Sequence, residues 1–259
     1  MPTRNKLRIA WLATGGTLTA LAVAFTTMAA LAEINEPDRT VQVTSRSHPL
    51  TSPEVVVRAT GHVDLSVVAG PAKRLDISQE LVWVRDRPVV TERWDGRTLT
   101  VDARCPGVPV CRTHYVLTLP AATGVEASSR IGTVSVNGVR GDLRLSADTG
   151  DVVVTGSLGA LRARVRQGDV IGDDLRSAET DAETGDGDVV LGFTAPPGDV
   201  RAVVRTRGNV EVRVPDEGGP GYNVRTDSGD ATVEVRLDPD SPRRITALTP
   251  AGELRVLPF

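Results

Sequence analysis

The chain has 259 residues, enough for one or two domains, and only 3% of them are aromatic, so its core must be built from Val, Leu, Ile and Ala. The formal net charge is -3. Residues 1–32 contribute Arg4, Lys6 and Arg8 and no acid, so the remainder carries -6, the total less the +3 of this segment. This balance argues against a nucleic-acid partner, which would require a concentrated basic face.

The N-terminal segment predicts a membrane anchor. Residues 9–32 form an uncharged run of 24 residues. As a helix this run would be roughly 36 Å long, enough to cross a hydrocarbon core of about 30 Å. Basic residues precede it and Glu33 begins an acidic stretch, so the positive-inside rule places the tail 1–8 in the cytoplasm. We therefore predict a single-pass protein of the plasma membrane whose C-terminal domain is extracytoplasmic.

A cleaved signal peptide is the alternative interpretation of this segment. Ala30, Leu31 and Ala32 form an A-x-A site of the kind that signal peptidase cuts. The apolar run exceeds the usual signal core of about 7 to 15 residues, which favours the anchor. Both interpretations deliver the same domain to the far side of the membrane, the second as a secreted protein cleaved after Ala32.

The rest of the chain predicts a stalk followed by strands. Residues 33–52 are rich in Thr, Ser, Pro and charge, which is typical of a stalk or linker, with VQVTS as an alternative start of the strands. Residues 53–120 contain alternating runs such as HVDLSVV, LVWVR and HYVLTLP, the pattern of short strands with one buried face. Because no stretch beyond residue 32 keeps a helical period for three turns, we predict an all-β domain.

The two cysteines predict a disulfide. Cys105 and Cys111 lie in the segment CPGVPVC, whose Pro and Gly favour a turn that brings them together. Outside the cytoplasm a bonded pair is the expected state. A metal site that also used His114 would lack a fourth ligand nearby, so the disulfide is favoured.

From residue 121 onward one unit repeats. A glycine, then an acidic or polar residue, then alternating valines return at steps of 18, 18, 19, 21, 21 and 23 residues. Glycine supplies a left-handed turn conformation at little cost, and an aspartate after it can accept hydrogen bonds from backbone amides. The predicted turn residues are Gly132, Gly150, Asp151, Gly168, Asp169, Gly187, Asp188, Gly208, Gly229, Asp230 and Gly252.

Such a unit cannot bury its apolar face alone, so neighbouring units must stack. We predict a β-solenoid or β-roll of two-strand coils of about 20 residues over 121–259, with 53–120 as its N-terminal cap or first coils. The alternative is an antiparallel meander folded as a sandwich or barrel. The residues predicted to face inward are Leu143, Leu145, Ala147, Val152, Val154, Leu161, Ala163 and Val165, and those predicted to face outward are Arg144, Val153, Arg162 and Arg164.

Two groups of acidic residues are candidates for binding a metal ion. The turn aspartates would lie near one edge of stacked coils, but calcium-binding β-rolls supply several oxygens per ion, so we favour turn capping. The segment DAETGDGD is a weak candidate for one cation because four carboxylates lie within eight residues. These are Asp181, Glu183, Asp186 and Asp188. No cofactor is predicted.

A carbohydrate-active enzyme is a minor alternative. It would need a carboxylate pair or a base beside aromatic sugar platforms, and Trp83 and Trp94 are the only tryptophans beyond residue 32. His48, His62 and His114 lie in different segments without a nucleophile–base pattern. We therefore predict no catalytic residues and no enzyme.

Outward arginines predict a candidate binding surface. A basic stripe on one sheet face would suit an anionic wall polymer or lipid headgroups, although interleaved acids favour a mixed soluble surface. The arginines are Arg140, Arg144, Arg162, Arg164, Arg166, Arg201, Arg205 and Arg207.

The repeated G-D-V-x-V unit, the C-x5-C segment running into HYVLTLP, and the membrane-proximal start together resemble the bacterial putative adhesin family. The resemblance covers roughly residues 40–259 and implies an extracytoplasmic all-β domain of unknown function on the cell envelope, often membrane-tethered. It carries over no catalytic residues. We therefore expect a tethered, non-enzymatic binding or structural module whose partner is a cell-wall polymer or an envelope protein. The alternative is an accessory or sensor subunit of an envelope-stress system.

Overall fold

A computed structural model describes residues 39–71, 73–106, 111–216 and 219–259. The predictions on the tail 1–8 and the anchor 9–32 lie outside the described residues. Within the described part of the chain, no helix is long and apolar enough to cross a membrane.

The described residues form strands and turns, with no helix among them. The strands are β1 (Thr40–Pro49), β2 (Glu54–Gly70), β3 (Arg74–Trp83), β4 (Val89–Trp94), β5 (Thr98–Arg104), β6 (Cys111–Pro120), β7 (Gly124–Ile131), β8 (Val134–Asn137), β9 (Leu143–Thr149), β10 (Val152–Thr155), β11 (Leu161–Gln167), β12 (Val170–Leu175), β13 (Glu179–Asp186), β14 (Val189–Phe193), β15 (Asp199–Arg207), β16 (Val210–Val214), β17 (Asn223–Asp227), β18 (Asp230–Val233), β19 (Arg244–Leu248) and β20 (Glu253–Pro258).

Two sheets face each other across one core. Sheet A runs in the order β1-β3-β6-β2-β8-β10-β12-β14-β16-β20-β18. Sheet B runs β4-β5-β2-β7-β9-β11-β13-β15-β19-β17. β2 gives its first half to sheet B and its second half to sheet A. All pairs are parallel except β1–β3, β3–β6 and β4–β5, so the predicted solenoid is confirmed and the antiparallel meander is excluded.

The constant repeat spacing keeps the apolar side chains of successive coils in register. Val152 of β10 aligns with Val134 of β8 on one side and with Val170 of β12 on the other, and all three are buried. A slip of one residue would turn such a row outward, so the register is strongly specified. All eight residues predicted to face inward are buried, the three predicted outward arginines are exposed, and Val153 is half-buried.

The coils follow chain order only in the middle of the body. β19 and β20 pair with β15 and β16, and the earlier strands β17 and β18 lie outside them. The prediction that the last coils stack in sequence is therefore wrong. Ile245 and Leu254 of the later coil are completely buried, whereas Val224 and Val233 of the earlier coil are half-buried. The more apolar coil thus occupies the inner layer, where burying each large aliphatic side chain contributes about 1.5–3 kcal/mol.

Six of the seven predicted turn glycines form one column along the solenoid. Each has a φ between +125° and +150°, and a Cβ on each would lie 1.9–2.4 Å from a backbone carbonyl oxygen of the neighbouring coil. No other residue type fits both conditions. The column consists of Gly132, Gly150, Gly168, Gly187, Gly208 and Gly252. Gly229 is outside it, with no positive φ and no atom within 4 Å of the place that a Cβ would take, because its coil is the displaced outer one.

Residues 40–49, within the predicted stalk 33–52, form a strand that includes the alternative VQVTS. This segment is β1, which pairs along its whole length with β3. Its alternating valines and threonines favour a strand over a linker. The prediction of a disulfide is confirmed, because Cys105 and Cys111 are bonded across the end of β5 and the start of β6, with Cα atoms 5.9 Å apart.

Candidate functional site

The outer surface of sheet B carries most of the predicted arginines. Because side chains alternate along a strand, the outward positions of β11 are Arg162, Arg164 and Arg166, and the neighbouring coils add further charges in register. We call this surface the arginine face. It consists of Arg144, Arg162, Arg164, Arg166, Arg201 and Arg205, with Asp181 and Glu183 between them.

Asp181 and Glu183 of β13 are held between the arginines of β11 and β15. Arg201 Nη1 donates to Asp181 Oδ1 and to Glu183 Oε2, each at 3.0 Å, and Arg205 Nε donates to Glu183 Oε1 at 2.8 Å. Arg164 pairs with Asp181 from the other side. The hydrogen bond from Arg205 holds the pKa of Glu183 below its ordinary value. For Asp181, burial raises the pKa, but the hydrogen bonds from Arg164 and Arg201 outweigh it and the net pKa is lowered.

The four carboxylates of DAETGDGD, the weak metal candidates, all have partners within the protein. Asp181 and Glu183 are paired with arginines, and Asp186 faces Arg207 at 3.5 Å. Asp188 accepts the backbone N–H of Asn209 at 2.7 Å. Across the described ranges, no group of three or more His, Cys, Asp or Glu side chains could hold an ion. Asp181 and Glu183 lie on the same outer face of β13 and share Arg164 and Arg201, whereas Asp186 and Asp188 have other partners.

The turn aspartates cap the neighbouring coil. Asp151 Oδ1 accepts the backbone N–H of Asp169 at 2.9 Å, and Asp169 Oδ1 accepts that of Asp188 at 2.8 Å. Asp188 and Asn209 continue the series, and Asn209 Oδ1 accepts the N–H of Glu253 at 2.9 Å. We call Asp151, Asp169, Asp188 and Asn209 the Asx ladder. Asp230 lies outside it, because its own coil is displaced.

Arg162 is the arginine of the central part of this face that remains available to a ligand, and Arg166 at the end of β11 is likewise exposed without an ion pair among the described residues. Arg144 pairs with Glu54 at 3.4 Å and Arg164 with Asp181, but no carboxylate of the described residues lies within 4.0 Å of Arg162. Arg162 lines two adjoining grooves of about 390 and 280 Å³. The larger, which we call the basic groove, is lined by Glu126, Arg144, Leu145, Ser146, Arg162 and Arg164. Three guanidinium groups and one hydroxyl in a shallow groove suit a phosphate or carboxylate.

The three histidines occupy separate places. His114 Nε2 lies 2.9 Å from Ser66 Oγ, which in turn lies 2.8 Å from Ser135 Oγ, on the outer surface of sheet A. His62 is exposed. This row of cross-strand hydrogen bonds was not predicted from the sequence, because the three residues meet only through the strand register.

His48 and Trp94 meet in a cleft at the N-terminal end of the solenoid, which we call the end cleft. Their ring centroids are 5.9 Å apart. The end cleft measures about 810 Å³ and lies between β1 and β3 on one side and β4 on the other. It is lined by Arg46, His48, Gln79, Leu81, Arg87, Pro88, Val89, Val90, Glu92 and Trp94.

The floor of the end cleft is a closed polar network. The Gln79 side chain donates to Tyr115 Oη at 2.7 Å, Tyr115 Oη donates to Glu92 Oε2 at 3.0 Å, and Arg46 pairs with Glu92. Burial, reinforced by the Glu92 carboxylate, raises the pKa of Tyr115. Sequence reasoning missed this site, because it depends on how β1, β3 and β4 pack at the end of the two sheets.

Comparison with known proteins shows the family. The Toastrack DUF4097 family model matches residues 117–249, which is 133 of the 259 residues, so the chain belongs to this family and the predicted resemblance is confirmed. None of the curated proteins matches the chain.

Several solved structures are similar in outline. A putative cell adhesion protein from Clostridium sporogenes is 10% identical with a TM-score of 0.39, and 86% of this chain and 100% of that one are covered. A putative adhesin from Bacteroides fragilis is 11% identical with a TM-score of 0.41, and 84% of this chain and 97% of that one are covered. A putative adhesin from Parabacteroides merdae is 14% identical with a TM-score of 0.33, and 84% of this chain and 96% of that one are covered.

Proposed function

We propose that the chain is a non-enzymatic binding module of adhesin type, which holds an anionic polymer of the cell envelope on its arginine face. The observation that carries this proposal is Arg162, an exposed guanidinium without a carboxylate within 4.0 Å among the described residues, set between Arg144 and Arg164. Arg144 and Arg164, the other two arginines of the basic groove, are positioned by carboxylates, so the groove is largely fixed before a ligand arrives. Preorganised donors reduce the entropy that binding would otherwise cost.

The stacked architecture supports a polymeric ligand rather than a small one. Coils repeat at about 4.8 Å, so Arg144 of β9 and Arg162 of β11 are neighbours in one row along the solenoid axis, and Asp181 of β13 separates them from Arg201 of β15. A linear polyanion can contact several rows at once, and each weak contact adds to the total. Arg162 lines both grooves, but the smaller one also carries Glu179, Asp181 and Asp199, so the basic groove is the part of the surface that suits an anion.

Replacing Arg162 with glutamine is expected to weaken binding to purified teichoic acid about 5- to 10-fold, because one charge-assisted hydrogen bond to phosphate is lost. Binding of the unmodified chain should also weaken as salt screens the contact. Both are measured by retention on immobilised polymer across a salt series.

Arg225→Gln is the matched control. Arg225 is also exposed on sheet B but lies four strands away from Arg162, at roughly 19 Å. The control should bind like the unmodified chain. Equal loss in both variants, or retention that salt does not change, would contradict the proposal.

We further propose that residues 9–32 anchor this module in the plasma membrane, with residues 1–8 in the cytoplasm and the solenoid outside. The disulfide supports this placement, because such bonds persist in oxidising compartments. Protease added to intact cells is expected to digest the solenoid and to leave a tag on residue 1 protected. Digestion of the tag together with the solenoid would reject the anchor.

A further inference from the structure

The two sheets end unevenly at the N-terminal end of the solenoid. Beyond β2, sheet A continues through β6, β3 and β1, whereas sheet B continues only through β5 and β4. β1 therefore extends one strand beyond the end of sheet B. In the described part of the chain, β1 pairs only with β3, and β4 pairs only with β5, so each has one free edge.

The end cleft has the size of the strand position that sheet B lacks. Strands lie about 4.8 Å apart, facing sheets about 10 Å apart, and a six-residue strand is about 20 Å long, which gives roughly 960 Å³ for one position. The end cleft measures about 810 Å³, and its walls are the inner face of β1 and β3 and the free edge of β4.

The free edges expose apolar side chains, which protected edges avoid. Val41 and Val43 on the outer face of β1 are 57% and 60% exposed, and Val89 on the outer face of β4 is 59% exposed. Edge strands of monomeric proteins usually carry charges, proline or bulges that prevent pairing with another chain. Both strands also carry charges, Arg46 on β1 and Glu92 and Arg93 on β4, but Arg46 and Glu92 pair with each other. The exposed valines are the apolar surface that a partner strand could cover.

We propose that two copies of this chain associate end to end, with β1 of each copy adding to the free edge of β4 of the other. A two-fold axis parallel to the strands and midway between the sheets exchanges sheet A with sheet B. In each half of the dimer, β1 of one copy then occupies the strand position that sheet B of the other copy lacks. Both sheets become continuous through the interface.

Pairing of β1 with its own symmetry copy fits the geometry less well. That arrangement would join the two A sheets but leave the two β4 strands separated by two empty strand positions, because each B sheet ends one strand early. The exchanged arrangement also places Val43 beside Val89 of the other copy, so that exposed apolar surface is buried on both edges. Arg46 and Glu92, which would be enclosed, already neutralise each other, and Arg87, the other charged residue that lines the cleft, is exposed.

Cysteine cross-linking distinguishes this arrangement from others. Val43 and Val89 lie on opposite outer faces of one copy, so a short bis-maleimide linker cannot join them within a chain. The native cysteines are bonded to each other and do not react. In the purified full-length chain, the double variant V43C/V89C is expected to cross-link into dimers, and V43C or V89C alone is not. Leu158→Cys, exposed at a turn between β10 and β11, is the control and should give no dimer.

Light scattering across a dilution series gives a second readout that does not depend on the linker. The unmodified chain is expected to be dimeric, and V43R or V89R should raise the dimer dissociation constant tenfold or more, about 1.4 kcal/mol, with Leu158→Arg unchanged. A monomer throughout the series overturns the proposal, as does a dimer that cross-links through V43C alone or through L158C. The basic groove is remote from this end, so these outcomes are independent of polymer binding.

Discussion

Replacing Gly150 with alanine is expected to lower the free energy of unfolding by about 2–6 kcal/mol, a large fraction of what a domain of this kind has. Two costs combine. The φ of Gly150 is +125°, where a residue with a Cβ costs about 1–3 kcal/mol. That Cβ would also lie 2.4 Å from the carbonyl oxygen of Gly132 in the neighbouring coil, and relieving such an overlap costs a further 1–3 kcal/mol or so.

Two other glycines separate these costs. Gly96 has a φ of +101° but nothing within 4 Å of an added Cβ, so Gly96→Ala should show only the strain, about 1–3 kcal/mol. Gly229 has neither a positive φ nor a close neighbour, so Gly229→Ala should change stability by less than about 0.5 kcal/mol. Urea unfolding of the three variants measures the series. Equal losses at Gly150 and Gly96 would show that close approach between coils contributes nothing.

Replacing Asp169 with alanine is expected to lower the free energy of unfolding by about 1–2 kcal/mol, because the half-buried N–H of Asp188 loses its acceptor. Asp169→Asn should keep most of the stability, since its amide oxygen can accept the same hydrogen bond. The chain itself uses this substitution at Asn209, which accepts the N–H of Glu253. Urea unfolding and hydrogen exchange of the Asp188 amide measure the effect.

Asp230→Ala is the matched control for the Asx ladder. Asp230 also follows a turn glycine but accepts no hydrogen bond from a neighbouring coil in the described structure, so its loss should cost less than about 0.5 kcal/mol. If Asp169→Asn were as damaging as Asp169→Ala, the negative charge rather than the acceptor would be the stabilising feature.

The middle of the solenoid could be predicted from the sequence because it is determined by residues that lie close together in the chain. The spacing from Gly132 to Gly208 fixes the length of each coil, and the alternation around Val152 and Leu161 fixes which side chains face inward. The conformation of the turn glycines follows from the same pattern. Their close approach to the neighbouring coil does not, because it depends on how tightly two coils pack.

The order of the last coils, the ion pairs on sheet B and the end cleft depend on segments that are far apart in the sequence. The order of the last coils is decided by whether Val224 or Ile245 gains more from the inner layer, and both segments have strand patterns. The partners of Asp181 and Glu183 lie 17 to 22 residues away and become neighbours only once the register is set. The end cleft requires three strands from different parts of the chain, so no short motif indicates it.

The coils that lie out of chain order at both ends limit where the solenoid can gain additional coils. At the C-terminal end, the final strands β19 and β20 lie between β16 and β15 on one side and β17 and β18 on the other. At the N-terminal end, β5 and β6 lie outside β2, although they follow it in the chain. A duplicated unit can therefore be accommodated only where chain order and layer order agree, between β7 and β16. Gene duplication should therefore lengthen the solenoid only within this interior stretch. The interleaved strands at the two ends should keep their number and order.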